Sequence, residues 1–230
     1  MLRDRRLIEP IARIETDLPT KFGLPRQSGL VPALAARVVF EPTYRDPVAF
    51  RGLEGYSHIW LIWGFSRNGR DAWAATVKPP RLGGNRRMGV FATRSPYRPN
   101  ALGLSSVRLD RIETGGPDGV VLHVSGADLM NGTPIYDVKP YLAFTDSHPD
   151  AVGGFADDVS GYALAVEFPE PLLDRIPADR REALIGLLRQ DPRPAYIDDP
   201  DRRYGFNFLT FDVRFTVRDG VLTVVEIVDL

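Results

Sequence analysis

The sequence predicts a mainly β fold: an antiparallel barrel or sandwich, followed by a small α+β domain at the C-terminal end. Three observations predict it. Short apolar segments punctuated by Gly and Pro recur through the first 145 or so residues. No long amphipathic helix separates them, which argues against a doubly wound sheet. The pattern then changes beyond residue 165, where helically spaced leucines precede a strictly alternating hairpin.

Each element follows from its own residues. Val31 to Phe40 reads as a strand, and His58-Ile59-Trp60-Leu61-Ile62-Trp63-Gly64-Phe65 is apolar at every alternation, as a strand buried on both faces would be. Val107 to Ile112 and Val120 to Val124 flank Gly115-Gly116-Pro117-Asp118-Gly119, a turn cluster that predicts a hairpin. Gly153 to Gly161 is rich in Gly and Asp and reads as a loop. Pro177 opens a short helix with Leu184, Leu187 and Leu188 on one face, and Asp191-Pro192 closes it. Leu209 to Arg218 alternates apolar with polar, and Asp219-Gly220 leads into Val221 to Ile227, the strongest hairpin signal in the chain. The predicted division is a barrel over residues 1–148, a linker over 149–164 and a small α+β domain over 165–230.

Composition narrows the chemistry. The chain has 230 residues and no cysteine, which excludes disulfides, thiolate zinc sites and a thiol nucleophile. His58, His123 and His148 lack ligand-like spacing, so no metal is expected. No apolar run approaches the roughly 20 residues of a membrane helix, and no signal-peptide region opens the chain, so a cytoplasmic location is expected. Charge is unevenly placed: residues 1–115 hold 19 Lys+Arg against 10 Asp+Glu, and residues 116–230 hold 10 against 20. From Arg67 to Arg111, ten basic residues face only Asp71 and Asp110, which suits either a phosphate-binding surface or a solvated face paired with the acidic half.

Neither G-x-x-x-x-G-K-[ST] nor G-x-G-x-x-G between strand and helix occurs, nor do G-x-S-x-G and H-E-x-x-H. Two other stretches stand out. Gly89 to Leu104 contains Arg94-Ser95-Pro96-Tyr97-Arg98-Pro99-Asn100, in which prolines stiffen a loop carrying Arg94, Arg98 and Asn100; it is either a presented site or a surface turn with incidental arginines. Asp128 to Tyr141 contains Asn131-Gly132, which can turn the chain through positive φ. Asp137 and Lys139 there share one side of the strand that follows, as catalytic groups or as a surface ion pair.

These stretches, with Lys21 to Gly29, Gly52 to Trp60, Pro79 to Asn85 and Asp191-Pro192-Arg193-Pro194-Ala195-Tyr196, resemble the signature blocks of the TrmO (TsaA-like) tRNA methyltransferase family. The resemblance covers almost the whole chain. It implies a single-sheet antiparallel β-barrel methyltransferase that works as a homodimer and uses S-adenosyl-L-methionine to methylate N6 of N6-threonylcarbamoyladenosine in threonine tRNA. By matching position it implies cofactor contacts from Arg26, Gln27, Ser28, Ser66, Arg67, Arg94, Leu104, Gly132, Thr133, Pro134 and Ile135. The chain departs from the family pattern at Asn131, where Asp is common, at Tyr136, where a small aliphatic residue is common, and at Thr16-Asp17-Leu18, which replaces Ser-Pro-Tyr.

Methyl transfer from a sulfonium is an in-line displacement that needs alignment in a dry pocket rather than a metal. Asp137 or a backbone carbonyl is the candidate acceptor for the proton lost by the nucleophile, Tyr97 a candidate to stack on the base, and Asn100 a further candidate donor in the same loop. In the C-terminal domain, prolines restrict the chain around Arg193 and Tyr196, a pair suited to a phosphate and a base face; the alternative is a loop that caps the preceding helix. A competing reading is a regulatory module that binds S-adenosylmethionine or RNA without transferring methyl.

Overall fold

The computed structural model describes residues 6–66, 73–79, 86–193 and 199–230. The barrel half contains β1 (Ala12–Thr16), β2 (Ala35–Phe40), β3 (His58–Gly64), β4 (Thr76–Val77), β5 (Met88–Gly89), β6 (Leu102–Gly116), β7 (Gly119–Ser125) and β8 (Pro134–Pro140). Then come α1 (Ala143–Asp146), β9 (Ala165–Glu167), α2 (Glu170–Leu173), α3 (Arg181–Arg189), β10 (Tyr204–Phe208), β11 (Phe211–Arg218) and β12 (Val221–Asp229). The segment read as a loop between the two halves contains a 3-10 turn over Gly154–Val159.

Six strands close an antiparallel barrel in the order β1-β2-β7-β6-β3-β8, and β1 seals it by pairing with both β2 and β8. Inward residues such as Ile14, Val38, Ile59, Leu61, Leu122 and Ile135 have no exposed surface, each burial contributing about 1.5–3 kcal/mol. Two elements differ from the sequence expectation. Strand β2 begins at Ala35 rather than Val31, because Pro32 offers no ladder donor and Leu34 turns back to bond the Val31 carbonyl at 3.1 Å. Strand β3 is covered fully on one face only: Ile59 and Leu61 fill the barrel, whereas Trp60 and Ile62 on the outer face are half-buried. No second sheet packs there among the described residues; Trp60 instead becomes part of a cavity wall.

The C-terminal sheet runs β10-β11-β12-β9, with β9 parallel to β12 and the other pairs antiparallel. Leu184, Leu187 and Leu188 of α3 pack with Phe206, Phe208, Phe215 and Leu222 from this sheet. Leu18, Val31 and Leu34 belong to the same core although they precede β2 in the barrel half. Arg180 pairs with Asp17 at 2.9 Å, and the Leu209 N–H bonds the Asp17 carbonyl at 2.8 Å. The chain between residues 18 and 34 is thus clamped between the two halves, and that chain carries the Arg26-Gln27-Ser28 block.

Candidate active site

A cavity of about 490 Å³ lies where the end of β3 and the start of β6 meet three connecting segments: residues 21–27, the Thr93–Arg98 loop and the turn ahead of β8. The β-ladder explains the meeting, since Ile62, Trp63 and Gly64 pair with Leu104, Gly103 and Leu102. Trp60, Trp63 and Phe65 give the cavity aromatic walls, and Leu24, Leu104 and Met130 add apolar surface. Trp63 packs edge-on against Phe65 with ring centroids 4.4 Å apart. Polar groups then define the chemistry: Lys21, Arg26, Arg94 and Arg98 line the cavity together with Asp128, the one carboxylate among its described lining residues.

Asp128 is held from several sides. Ser105 donates its hydroxyl to Asp128 Oδ1 at 2.6 Å and accepts the Trp63 indole N–H at 2.9 Å. Burial pushes the Asp128 carboxyl above its ordinary value, opposed by the Ser105 bond, the Arg94 charge and a backbone N–H from Ser28. Ser105 itself is buried, so Ser105→Ala leaves the Trp63 N–H without this acceptor and the carboxylate without its strongest donor. A loss of about 1–3 kcal/mol in denaturant unfolding is expected; an unchanged midpoint would show that the array contributes nothing to stability.

The structure brings six of the predicted cofactor positions to the cavity: Arg26, Gln27, Ser66, Arg94, Leu104 and Thr133. Arg94 donates to Gln27 Oε1, joining two blocks 67 residues apart in sequence. Arg98 braces its own loop, donating to the carbonyls of Thr93 at 2.9 Å and Ser95 at 3.3 Å. Ser28 stands behind the lining and reaches it through Asp128. Gly132, at φ 77°, makes the turn that the sequence expects and bonds the Ile14 carbonyl at 2.8 Å. Pro134 and Ile135 open β8 outside the lining, with Ile135 in the barrel core. Arg67 lies outside the described residues.

The three candidates for catalysis are not part of the cavity lining. Asp137 sits on β8 opposite Ile62 and is paired with Lys139 at 2.8 Å. Tyr97 is exposed, its carbonyl accepting from the Ala74 N–H at 3.0 Å, and the Asn100 carbonyl accepts from the Leu102 N–H at 2.8 Å. The departures from the family pattern cluster around the site. Asn131 Oδ1 accepts the Thr16 N–H at 3.1 Å and the Asn131 N–H bonds the Leu18 carbonyl at 2.8 Å, so two departures meet and the amide fills an acceptor role without charge. The Tyr136 ring lies against Gly64 of the cavity wall, where even a methyl group would collide with it.

Residues missed by sequence reasoning include Asp128, Trp60, Trp63 and Phe65. The tryptophans carried a signal, since two large indoles in a strand of a small barrel exceed what the core holds, and each N–H requires a partner. Trp60 finds Asp146 at 2.9 Å. In the C-terminal half, Arg193 is turned inward: it makes two bonds to the Asp191 carboxylate at 2.8 and 3.0 Å, with both side chains only 12% exposed. Tyr162 adds a third bond at 2.9 Å. The motif's arginine is thus engaged with Asp191 inside the fold, while the Asp191 N–H bonds the Leu188 carbonyl of α3 at 3.1 Å; Tyr196 lies outside the described residues.

A closed β-barrel bearing an aromatic and cationic cavity at the ends of its strands, with no dinucleotide-type helix N-terminus among the described residues, defines a barrel class of ligand-binding protein. The sequence pattern of the tRNA-methyltransferase O N-terminal domain matches residues 13–147, and that of the TrmO C-terminal domain matches residues 162–230. The chain is 39% identical over 220 residues to the tRNA (adenine(37)-N6)-methyltransferase of Escherichia coli K12, covering 92% of this chain and 93% of that protein. It is 47% identical over 167 residues to the protein of the same name from Eikenella corrodens, covering 72% and 93%. A crystal structure of TrmO from Pseudomonas aeruginosa superposes with a TM-score of 0.76 at 31% identity, covering 97% of this chain and 99% of that one. The chain belongs to the tRNA-methyltransferase O family and is an enzyme of that class.

Proposed function

We propose that the protein transfers a methyl group from S-adenosyl-L-methionine to N6 of adenine 37 in tRNA, that the acceptor is N6-threonylcarbamoyladenosine in threonine tRNA, and that it acts as a cytoplasmic homodimer. The observation that carries the reading is the cavity, where Arg26, Gln27, Ser66, Arg94, Leu104 and Thr133 converge from separate blocks. Its donor set fits the cofactor. Aromatic walls suit the adenine, arginines suit the amino-acid carboxylate, and Asp128 places an anion in a site otherwise lined with cations. No helix of the described residues is long and apolar enough to cross a membrane.

S-adenosylmethionine, when bound, supplies a methyl group on a positively charged sulfur. The chain's own residues hold the geometry and keep water out. Trp63 and Phe65 form a rigid apolar wall, and the bond to Gln27 limits the rotamers open to Arg94. Asp137 is the proposed acceptor of the N6 proton, a role that requires loosening its bond with Lys139. Tyr97 and Asn100, in the loop that carries Arg94 and Arg98, are proposed to meet the base. The cationic lining also suits the carboxylate of a threonylcarbamoyl group, which is the feature that favours this acceptor over plain adenosine.

Arg94→Ala is expected to lower methyl transfer roughly 10- to 150-fold, the equivalent of a charged hydrogen bond worth about 1.5–3 kcal/mol. Its stability should change by less than about 0.5 kcal/mol, since Arg94 bonds an exposed partner. Early melting with normal activity of the folded fraction would make Arg94 structural. Acceptor choice is read by mass spectrometry of nucleosides from threonine tRNA incubated with enzyme and cofactor. Equal methylation of tRNA lacking the threonylcarbamoyl group would overturn the acceptor assignment, and binding without any methylated product would favour the regulatory module.

A further inference from the structure

We infer that Asp128 is the residue that reads the positive charge of the methyl donor, distinguishing the sulfonium ligand from its neutral thioether product. The inference rests on the proposed use of S-adenosylmethionine and goes beyond it by assigning charge selectivity to one side chain outside the family-matched contact set.

The charges around the cavity pose the problem. Lys21, Arg26, Arg94 and Arg98 line it, and four cations around one partly open cleft disfavour a ligand whose reacting atom is itself cationic. A sulfonium offers no N–H or O–H, so a hydrogen-bonding site cannot recognise it; the aromatic faces of Trp60, Trp63 and Phe65 attract a cation modestly, and a facing carboxylate attracts it more strongly. Asp128 is the carboxylate present among the described lining residues.

Its setting is built rather than incidental. Leu129 and Met130 on its C-terminal side, and Ala127 on the other, are buried, so the backbone that presents Asp128 is fixed by the barrel and the cavity wall. The side chain is oriented by the Ser105 hydroxyl at 2.6 Å, and Ser105 in turn is oriented by the Trp63 indole at 2.9 Å. Trp63 also lines the cavity, so one array links an apolar wall to the anion. A preorganised charge in a partly dry, aromatic-walled site acts with much less screening than one in water. The design favours substrate over product without demanding any contact that the two ligands do not already share. S-adenosylmethionine and S-adenosylhomocysteine differ only by one methyl group and one positive charge, and a single methyl accounts for little selectivity.

The test titrates wild-type protein and Asp128→Asn with both ligands by calorimetry. Asparagine keeps the shape and can still accept from Ser105 while removing the charge. The expected result is that Asp128→Asn weakens S-adenosylmethionine binding at least about tenfold more than S-adenosylhomocysteine binding. Equal weakening of both would overturn the inference, because it would place Asp128 on the ribose or adenine common to both; no weakening of either would overturn it as well. If the asparagine variant fails to fold, Asp128→Ser answers the same question, since it removes the charge, keeps a small polar group beside the Ser105 hydroxyl and leaves the Ser105–Trp63 bond in place: a larger loss for the sulfonium ligand is expected, whereas equal losses refute the assignment. Failure of the wild-type protein to bind either ligand would instead strike the proposed cofactor, so the two failures are distinguishable.

Discussion

Gly103→Val is expected to reduce S-adenosylmethionine binding roughly 100-fold, equivalent to about 2.8 kcal/mol, while the C-terminal core stays intact. Gly103 pairs directly with Trp63 across the β6–β3 ladder, and a Cβ built on it would collide with the Trp63 indole at Cε2. The ring cannot yield cheaply. It is backed by Phe65 and tied through its N–H to Ser105, so movement breaks the bond that sets Asp128 and removes an aromatic wall at the same time. Glycine is present here for close approach of a ring rather than for a turn. Calorimetry with each ligand measures the effect, and unfolding monitored in parallel separates it from a global loss. Wild-type affinity in the valine variant would mean that Trp63 does not shape the cofactor site.

Arg193→Ala is expected to cost about 3–5 kcal/mol of stability, because it leaves a carboxylate that is only 12% exposed without its principal cation. Burial works to raise the Asp191 carboxyl, but bonds from Arg193 and Tyr162 outweigh it and hold the group below 3.8. The sign of the pH dependence follows. A carboxyl depressed in the folded state contributes stability that is complete above the unfolded value near 3.8 and is lost as pH falls through the lower folded value. Wild-type protein should therefore lose part of its stability below pH 3.8, and Arg193→Ala should lack that part of the acid limb. Urea unfolding at several pH values measures both. A variant as stable as wild type, yet defective with tRNA, would return Arg193 to the RNA-contact role that its motif suggests.

The Asp191 geometry also bears on the C-terminal half as a whole. The Asp191 carbonyl lies 3.5 Å from Arg26 Nη2, and Arg26 lines the cavity. The loop after α3 therefore abuts the cavity wall from behind, and Leu18, Val31 and Leu34 anchor the chain that carries this wall in the second core. Through these contacts the C-terminal half braces the cavity from behind.

Much of the architecture was legible because it depends on local periodicity. The alternation of β11 and β12, the leucines of α3 and the turn residues between β6 and β7 each encode their element within about ten residues, and the structure places them within a few positions of where the pattern does. The family, too, was legible from uncommon words in a fixed order. The Arg26, Gln27, Arg94 and Thr133 positions follow from that order alone and do converge. The start of β2 was not legible, because Val31 looks apolar whether it joins a barrel strand or the core of the neighbouring domain.

By itself, then, the sequence determined a β-rich barrel with an α+β appendage, a cysteine-free chemistry, the methyltransferase family and several of the blocks that meet at the cavity. Only the tertiary structure decided which polar groups in those blocks face the cavity. Asp128 and Asp137 stand nine positions apart in one motif and look alike in sequence, yet Asp128 reaches the cavity with Ser105 behind it while Asp137 pairs with Lys139 on β8. Arg94 and Arg193 each stand beside prolines, yet one lines the cavity and the other closes on Asp191. The physical reason is that direction and burial are set by partners far along the chain. Ser105 lies 23 residues from Asp128, and the hydrogen bond between them exists only once β6 has paired with β3 and the barrel has closed.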